Sequence, residues 1–253
     1  MKVIDISYHN GDIDFHKVRQ DGIEGVIIRA GYGKGNLDTK YHQNMENAIK
    51  TGMRIGVYWF SYAYTVHMVD VEAKHCLRLL EPYRKYIDLP VFFDWEYDSY
   101  KYSSKNGVNP SKTLISDFNV LFCQIMQNAG YLTGYYLNLD YAKNYVDEKK
   151  LKSYKRWFAR YTDNPQTDCY MWQYTSSGKV NGISGKVDMN ILYEDIKKPI
   201  DDIVAEVIKG YWGSGNDRRQ RLTRAGYDYT SIQSLVNAAM KQLEKEKNNG
   251  EEK

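Results

Sequence analysis

Cysteine and histidine are scarce in this 253-residue chain, and neither is clustered. The three cysteines, Cys76, Cys123 and Cys169, are widely spaced, odd in number and without a C-x-x-C pair, which excludes a disulfide scaffold or a thiolate knuckle. They read as small buried hydrophobes of a chain folded in a reducing compartment. The five histidines, His9, His16, His42, His67 and His75, form neither H-x-x-x-H nor H-E-x-x-H. A metal-dependent amidase or deacetylase therefore has no ligand set, and neither a metal nor another cofactor is expected. No apolar run is long enough to span a bilayer, and "MKVIDISYHN" enters a strand pattern at once, without the roughly 7–15-residue apolar core of a signal peptide. The expectation is synthesis in the cytoplasm without membrane insertion. A net charge of +3 with 26% charged residues is too balanced to argue for nucleic acid, although it does not oppose an anionic polymer.

Aromatic residues, by contrast, are abundant: 24 tyrosines and five tryptophans exceed what a core of this size needs. Flat rings suit sugar faces as well as interiors, though most of these residues are expected to pack. Eight β-rich runs, "KVIDIS", "GVIIRAG", "RIGVYWFSY", "LPVFFDWE", "LTGYYLN", "RWFARY", "YMWQYT" and "GKVDMNIL", read as strands. Helical stretches are expected around Asp14–Gln20, Lys40–Lys50, Val69–Tyr86, Ser111–Asn128 and Tyr141–Lys152. The last strands follow one another with little room for helices. Alternation followed by β alone predicts an α/β fold, a parallel sheet closed into an irregular, flattened TIM-like barrel with a helix-poor side.

The stretch "LPVFFDWEYDSY" ends an apolar run with two acids two residues apart, which an extended chain places on one face. Such a pair perturbs its own ionisation and can hold one proton near neutral pH, as acid-assisted glycoside cleavage requires. Carboxylate pairs also occur as solvated strand ends or metal ligands. Asp5 after "KVI" and Asp188 after "GKV" join Asp94 and Glu96 as acids expected at the C-terminal ends of barrel strands, where active sites assemble. Singly, each reads as a loop cap; together they point to a site.

These motifs, in this order, resemble glycoside hydrolase family 25, the N-acetylmuramidases of phage endolysins and bacterial autolysins, over Met1 to Tyr193. The resemblance implies cleavage of the β-1,4 bond between N-acetylmuramic acid and N-acetylglucosamine in peptidoglycan. It implies Glu96 as general acid, Asp94 as the carboxylate that assists the 2-acetamido group, and Asp5 and Asp188 as flanking acids. Glu96 is then expected protonated, its pKa raised by neighbouring charge, with Asp94 and the others anionic. Tyr58, Tyr136, Trp157 and Trp172 on the matching strands are candidates to line a sugar groove, with packing as the alternative, and Tyr62, Tyr8 and Tyr32 are looser ones. Arg29 is expected to hold an acid by a charge-assisted bond or to serve as a structural partner. His9, four residues after Asp5, is within reach of the site, although a surface or loop position is the first expectation.

A boundary is expected at "YEDIKKPIDD", dividing a catalytic domain, residues 1–194, and a linker, 195–200, from a module at 201–240 and a disordered tail at 241–253. The module reads as three short helices anchored by Trp212, Tyr227 and Leu235. It resembles the type-7 cell-wall-binding repeat, which implies recognition of a peptidoglycan fragment. Trp212, Asp217, Arg218, Arg221 and Tyr227 are the candidate contacts, and a solvated helix face is the alternative for the charged ones. A single repeat gives no avidity of its own. With no signal peptide, action at the bacterial wall implies release by a holin-type partner; nothing in the sequence marks an oligomeric state. A family 18 chitinase-like hydrolase is the nearest enzymatic rival, but Leu89 and Phe92 stand where its earlier acids belong. A barrel that binds walls without cleaving them is the rival of another class.

Overall fold

The computed structural model describes residues 1–193, 200–225 and 227–250. The chain forms two compact units, Met1–Glu194 and Asp195–Lys253. The first contains strands β1 (Lys2–Ile6), β2 (Gly25–Tyr32), β3 (Asn36–Leu37), β4 (Arg54–Phe60), β5 (Ile87–Asp94), β6 (Thr133–Asn138), β7 (Lys155–Ala159), β8 (Met171–Gly178) and β9 (Val187–Leu192). Its helices are α1 (Phe15–Gln20), α2 (Tyr41–Thr51), α3 (Val66–Leu80), α4 (Tyr97–Lys105) and α5 (Lys112–Asn128). The second unit holds α6 (Ile200–Ile208), α7 (Gly215–Arg224) and α8 (Tyr229–Gly250).

Eight strands close into a barrel in the order β1, β9, β8, β7, β6, β5, β4, β2 and back to β1, with β3 as a two-residue addition on β2. All eight expected strands are present. The sheet is not wholly parallel, however, because β9 runs antiparallel to both β8 and β1. With no helix between β8 and β9, the chain turns straight back beside β8 instead of crossing over. Helices α2, α3 and α5 lie between successive parallel strands and pack on the outside, which buries those strands on both faces.

Local sequence accounts for the helix ends. Asp14 caps α1 by accepting from the His16 and Lys17 amides, Thr65 caps α3 through Met68 N, and Ser111 caps α5 through Leu114 N. Three helical expectations need correcting. The α3 segment starts at Val66 and gives way after Leu80 to a 3-10 turn, Glu81–Tyr86, with Pro82 in its first turn. The region around Tyr141–Lys152 is a π turn, Tyr141–Tyr145, followed by a 3-10 turn, Glu148–Leu151. Helix α4 was not expected, because "YDSYKYSSK" has no apolar period; only Ser99 and Ser103 of this helix are buried. Of the cysteines, Cys76 and Cys123 are buried as expected, whereas Cys169 is half-buried.

In the second unit, Ile203, Val207, Trp212, Leu222, Tyr227, Ile232 and Val236 form the core. Trp212 and Tyr227 anchor it as expected; Leu235 does not, being 45% exposed while its neighbour Val236 turns inward. Helix α8 is not short: it runs on through Gly250, so much of the expected tail is helical, carried by helix formers such as Lys, Gln, Leu and Glu. The expected linker falls mostly on residues 194–199, outside the described residues, as do the last three of the chain, and Ile200 already opens α6.

Candidate active site

The acids converge on one cavity of about 410 Å³ at the end of the barrel where the parallel strands finish. Asp5 lies near the end of β1, Asp94 is the last residue of β5, and Glu96 follows in extended backbone as the N-cap of α4. Alternation does what the spacing predicts: Asp94 and Glu96 line the cavity, and Trp95 between them is buried against Phe118 and Tyr141. Asp188 reaches the same mouth for a different reason from the one expected. It is the second residue of β9, not a strand end, and the reversed direction of β9 sets it directly opposite Asp5.

Burial dominates the electrostatics. It pushes all four carboxyl groups up, Asp5 to about 8, Glu96 to about 7 and Asp188 to about 6, with Asp94 well above its usual range. Neighbouring charge adds to this: Asp188 acts on Asp5, Glu96 on Asp94, and Asp98 and Asp188 on Glu96. Two expectations change. Desolvation, not neighbouring charge, is the larger cause of the raised Glu96 pKa, and Asp94 is not held anionic by its surroundings. The protons at neutral pH belong to the cluster rather than to one group.

A polar network that the sequence reading passed over holds Asp5. Its Oδ2 accepts from Gln173 Nε2 at 3.0 Å and from Asn190 Nδ2 at 2.8 Å. Gln173 Oε1 in turn accepts from the Tyr136 and Tyr161 hydroxyls, and Asn190 Oδ1 accepts from Trp157 Nε1 at 2.7 Å. The available signal was periodicity, since Asn190 shares a strand face with Asp188. Asp38 was also missed. Buried beside the start of α2, it accepts from Arg29 Nε at 2.8 Å and from the amides of Tyr8 and Lys40. Arg29 thus holds an acid, but one outside the expected four, and its guanidinium lies over the Tyr8 and Tyr32 rings.

Tyr58, Tyr136, Trp157 and Arg29 line the cavity, as do His9 and Tyr161. Trp157 is only 2% exposed and packs edge-on against Tyr58 and Tyr136, which makes it floor rather than wall. Burial keeps the Tyr58 and Tyr136 phenols neutral, their pKa values pushed well up. Trp172 and Tyr62 are not among the lining residues. Trp172 alternates with the inward Gln173 and donates instead to Arg160 O, while Tyr62 packs with Tyr32, Phe60 and Tyr102. Among the described residues no group of His, Cys, Asp and Glu could hold a metal ion, and no helix is long and apolar enough to cross a membrane.

In the second unit, the aromatic candidates belong to the interior: Trp212 and Tyr227 meet edge to face at 6.0 Å, and Trp212 Nε1 donates to Glu206. Arg218 donates to Gly213 O and Gln233, Arg221 lies over the Trp212 ring, and Asp217 is about half exposed. The charged residues therefore brace the fold as well as offering polar groups to solvent.

Comparison with known proteins agrees with this layout. The CW_7 repeat matches residues 201–240. An autolytic lysozyme of Clostridium acetobutylicum is 28% identical over 204 residues, covering 78% of this chain and 57% of that protein. The lysozyme of Streptococcus phage Cp-7 is 24% identical over 251 residues, 92% of this chain and 68% of the phage protein. The modular autolysin LytC from Streptococcus pneumoniae, solved also in complex with a synthetic peptidoglycan ligand, superimposes with a TM-score of 0.67 at 29% identity, over 76% of this chain and 46% of its own. The chain spans about half the length of these autolysins. The Glycosyl hydrolases family 25 profile matches residues 4–183, so the chain belongs to that family.

Proposed function

We propose that this chain is a lysozyme, cleaving the β-1,4 bond between N-acetylmuramic acid and N-acetylglucosamine in peptidoglycan and acting at the bacterial cell wall. The observation that carries the reading is the meeting of Glu96 with Asp5, Asp94 and Asp188 in one cavity, with Glu96 holding its proton up to about pH 7. In this reading Glu96 is the general acid: it gives that proton to the leaving glycosidic oxygen as the bond to the sugar breaks. Charge then develops on the oxocarbenium-like ring beside the ionised carboxyl groups of the cluster, and water adds to the anomeric carbon while its proton passes to the Glu96 carboxylate, which restores the acid. Asp94 Oδ1, buried without a partner in the protein, suits the 2-acetamido N–H of the substrate. Asp5, fixed by Gln173 and Asn190, and Asp188 opposite it complete the acidic face.

Tyr58, Tyr136 and Tyr161 supply neutral hydroxyls and ring faces to the sugar. The repeat at residues 201–240 gives a second hold on peptidoglycan, through Asp217 and the arginines rather than through Trp212 or Tyr227, which are in the module core.

The test is to digest purified peptidoglycan, reduce the products with borohydride and identify the new reducing ends by mass spectrometry. Muramitol is the expected end. Glucosaminitol would move the cut to the other linkage, a glucosaminidase; no new ends on several wall types would leave a wall-binding protein.

A further inference from the structure

Between β4 and α3, the three residues Ser61, Tyr62 and Ala63 run beside the segment that carries the acids. Each residue of that segment is tied to this strap. Ser61 N donates to Asp94 O at 2.8 Å, and Trp95 Nε1 donates to Ala63 O at 2.8 Å. The third tie passes through Ser99: its hydroxyl accepts from Glu96 N at 3.1 Å and donates its own proton to Ser61 O at 2.6 Å. The serine hydroxyl therefore has a fixed orientation, with the backbone of Glu96 on one side and the strap on the other.

The strap is itself held from the side away from the acids. Glu72, on α3 and fully buried, accepts from Tyr62 N at 3.2 Å through one oxygen and from Trp59 Nε1 at 3.1 Å through the other. The Ser61 hydroxyl also bonds to Glu72 and accepts from Ala63 N, which locks the turn internally. Gly31 makes room for Trp59, since a Cβ there would collide with the indole ring and the Asn36 carbonyl. A buried carboxyl with an otherwise apolar neighbourhood is expensive to keep, and here its bonds go to Ser61 and Tyr62 of the strap and to Trp59 in the strand that leads into it.

From this geometry we infer that Glu72 and Ser99 are positioning residues of the glycosidase site, acting through the Ser61–Ala63 strap to set the backbone from which the Glu96 side chain reaches the substrate. The inference rests on the lysozyme reading for its consequence, and on the hydrogen bonds alone for its mechanism. A general acid displaced by a fraction of an ångström still binds substrate and transfers its proton poorly.

Ser103 supplies the control. It lies one turn further along α4, is equally buried, and donates to Val108 O, away from the strap. The experiment compares Ser99→Ala, Ser103→Ala and Glu72→Gln in the full chain, measuring kcat and KM for release of reducing ends, thermal stability, and hydrogen exchange of the Glu96 amide. Ser99→Ala should lower kcat about tenfold or more with KM changed less than about twofold, and speed exchange at Glu96, while Ser103→Ala loses stability and keeps wild-type kcat. Glu72→Gln, which retains one acceptor, should fall between them. Wild-type kcat in Ser99→Ala, or parallel losses in Ser99→Ala and Ser103→Ala that follow stability, would overturn the inference. Should the wild type release no reducing ends, the lysozyme reading fails and exchange decides alone: faster exchange at Glu96 in Ser99→Ala than in Ser103→Ala supports the strap, and equal rates refute it.

Discussion

Both units bury tryptophan and tyrosine, but the rings have different work. In the barrel, Trp157 and Trp59 present indole N–H groups to Asn190 and Glu72, and thereby support polar side chains around the site. In the module, Trp212 and Tyr227 are themselves much of the core. The difference follows from size. Burying a carboxyl group needs a large apolar surround to offset its desolvation, and the barrel has one, built from strands covered on both faces. A three-helix unit with a small cluster has no such surplus, and none of the carboxyl groups among its described residues is buried.

The largest effect that would break this contrast is at the acid. Glu96→Gln should lower the rate of wall hydrolysis by about 10²–10⁴-fold, while pelleting with walls persists, because the module is untouched. Retained hydrolysis would remove Glu96 from its role. Next, Trp212→Ala should cost about 3–5 kcal/mol, comparable with all the stability a core of this size supplies. Pelleting and the module's calorimetric transition are then lost, and hydrolysis of soluble glycan continues. A module that stays folded would show that its core is not what the contacts indicate.

The pH dependence sharpens the other half of the comparison. Activity should fall as pH rises through about 7, where Glu96 loses its proton, and Asp98→Asn should move that limb to lower pH by removing a neighbouring negative charge. For stability the sign is opposite to that of a salt-bridged acid. Asp5 holds its proton to about 8 when folded but only to the usual carboxylate range when unfolded, so its contribution is complete below about pH 4 and is lost as pH rises through 8. Asp5→Asn should therefore melt a few degrees above wild type beyond pH 8, converge with it near pH 4, and be inactive. The smallest effect is expected at Leu235→Ala, within about 0.5 kcal/mol of wild type, since that side chain lies outside the module core.

The eight strands and the acids were legible because strand burial writes itself as apolar runs and because acids interrupting such runs stand out. Direction was not: nothing within "GKVDMNIL" says that it runs against its neighbours, and so Asp188 was placed at a strand end when it sits at a strand start. Helix α4 was hidden for a related reason, its buried face being serine rather than an apolar stripe. Gln173 and Asn190 looked like ordinary polar residues, because their bonds to Asp5 join positions 168 and 185 residues apart and leave no local trace. For the aromatic candidates the sequence left two roles open, groove and packing. Trp212, Tyr227 and Trp172 are chemically suited to sugars, but suitability does not say which way a ring faces.

The closure of the barrel has a consequence for how the protein is made. Strand β1 emerges first and finds one of its two neighbours, β9, only after Leu192 has been synthesised, when Met1 and Leu192 bond to each other through both backbone groups. Until then Asp5 lacks Asn190 and Asp188, and the acidic cluster is incomplete. A chain that stops short of β9 thus lacks Asp188 and the bond from Asn190 to Asp5, so that its acidic cluster is chemically incomplete.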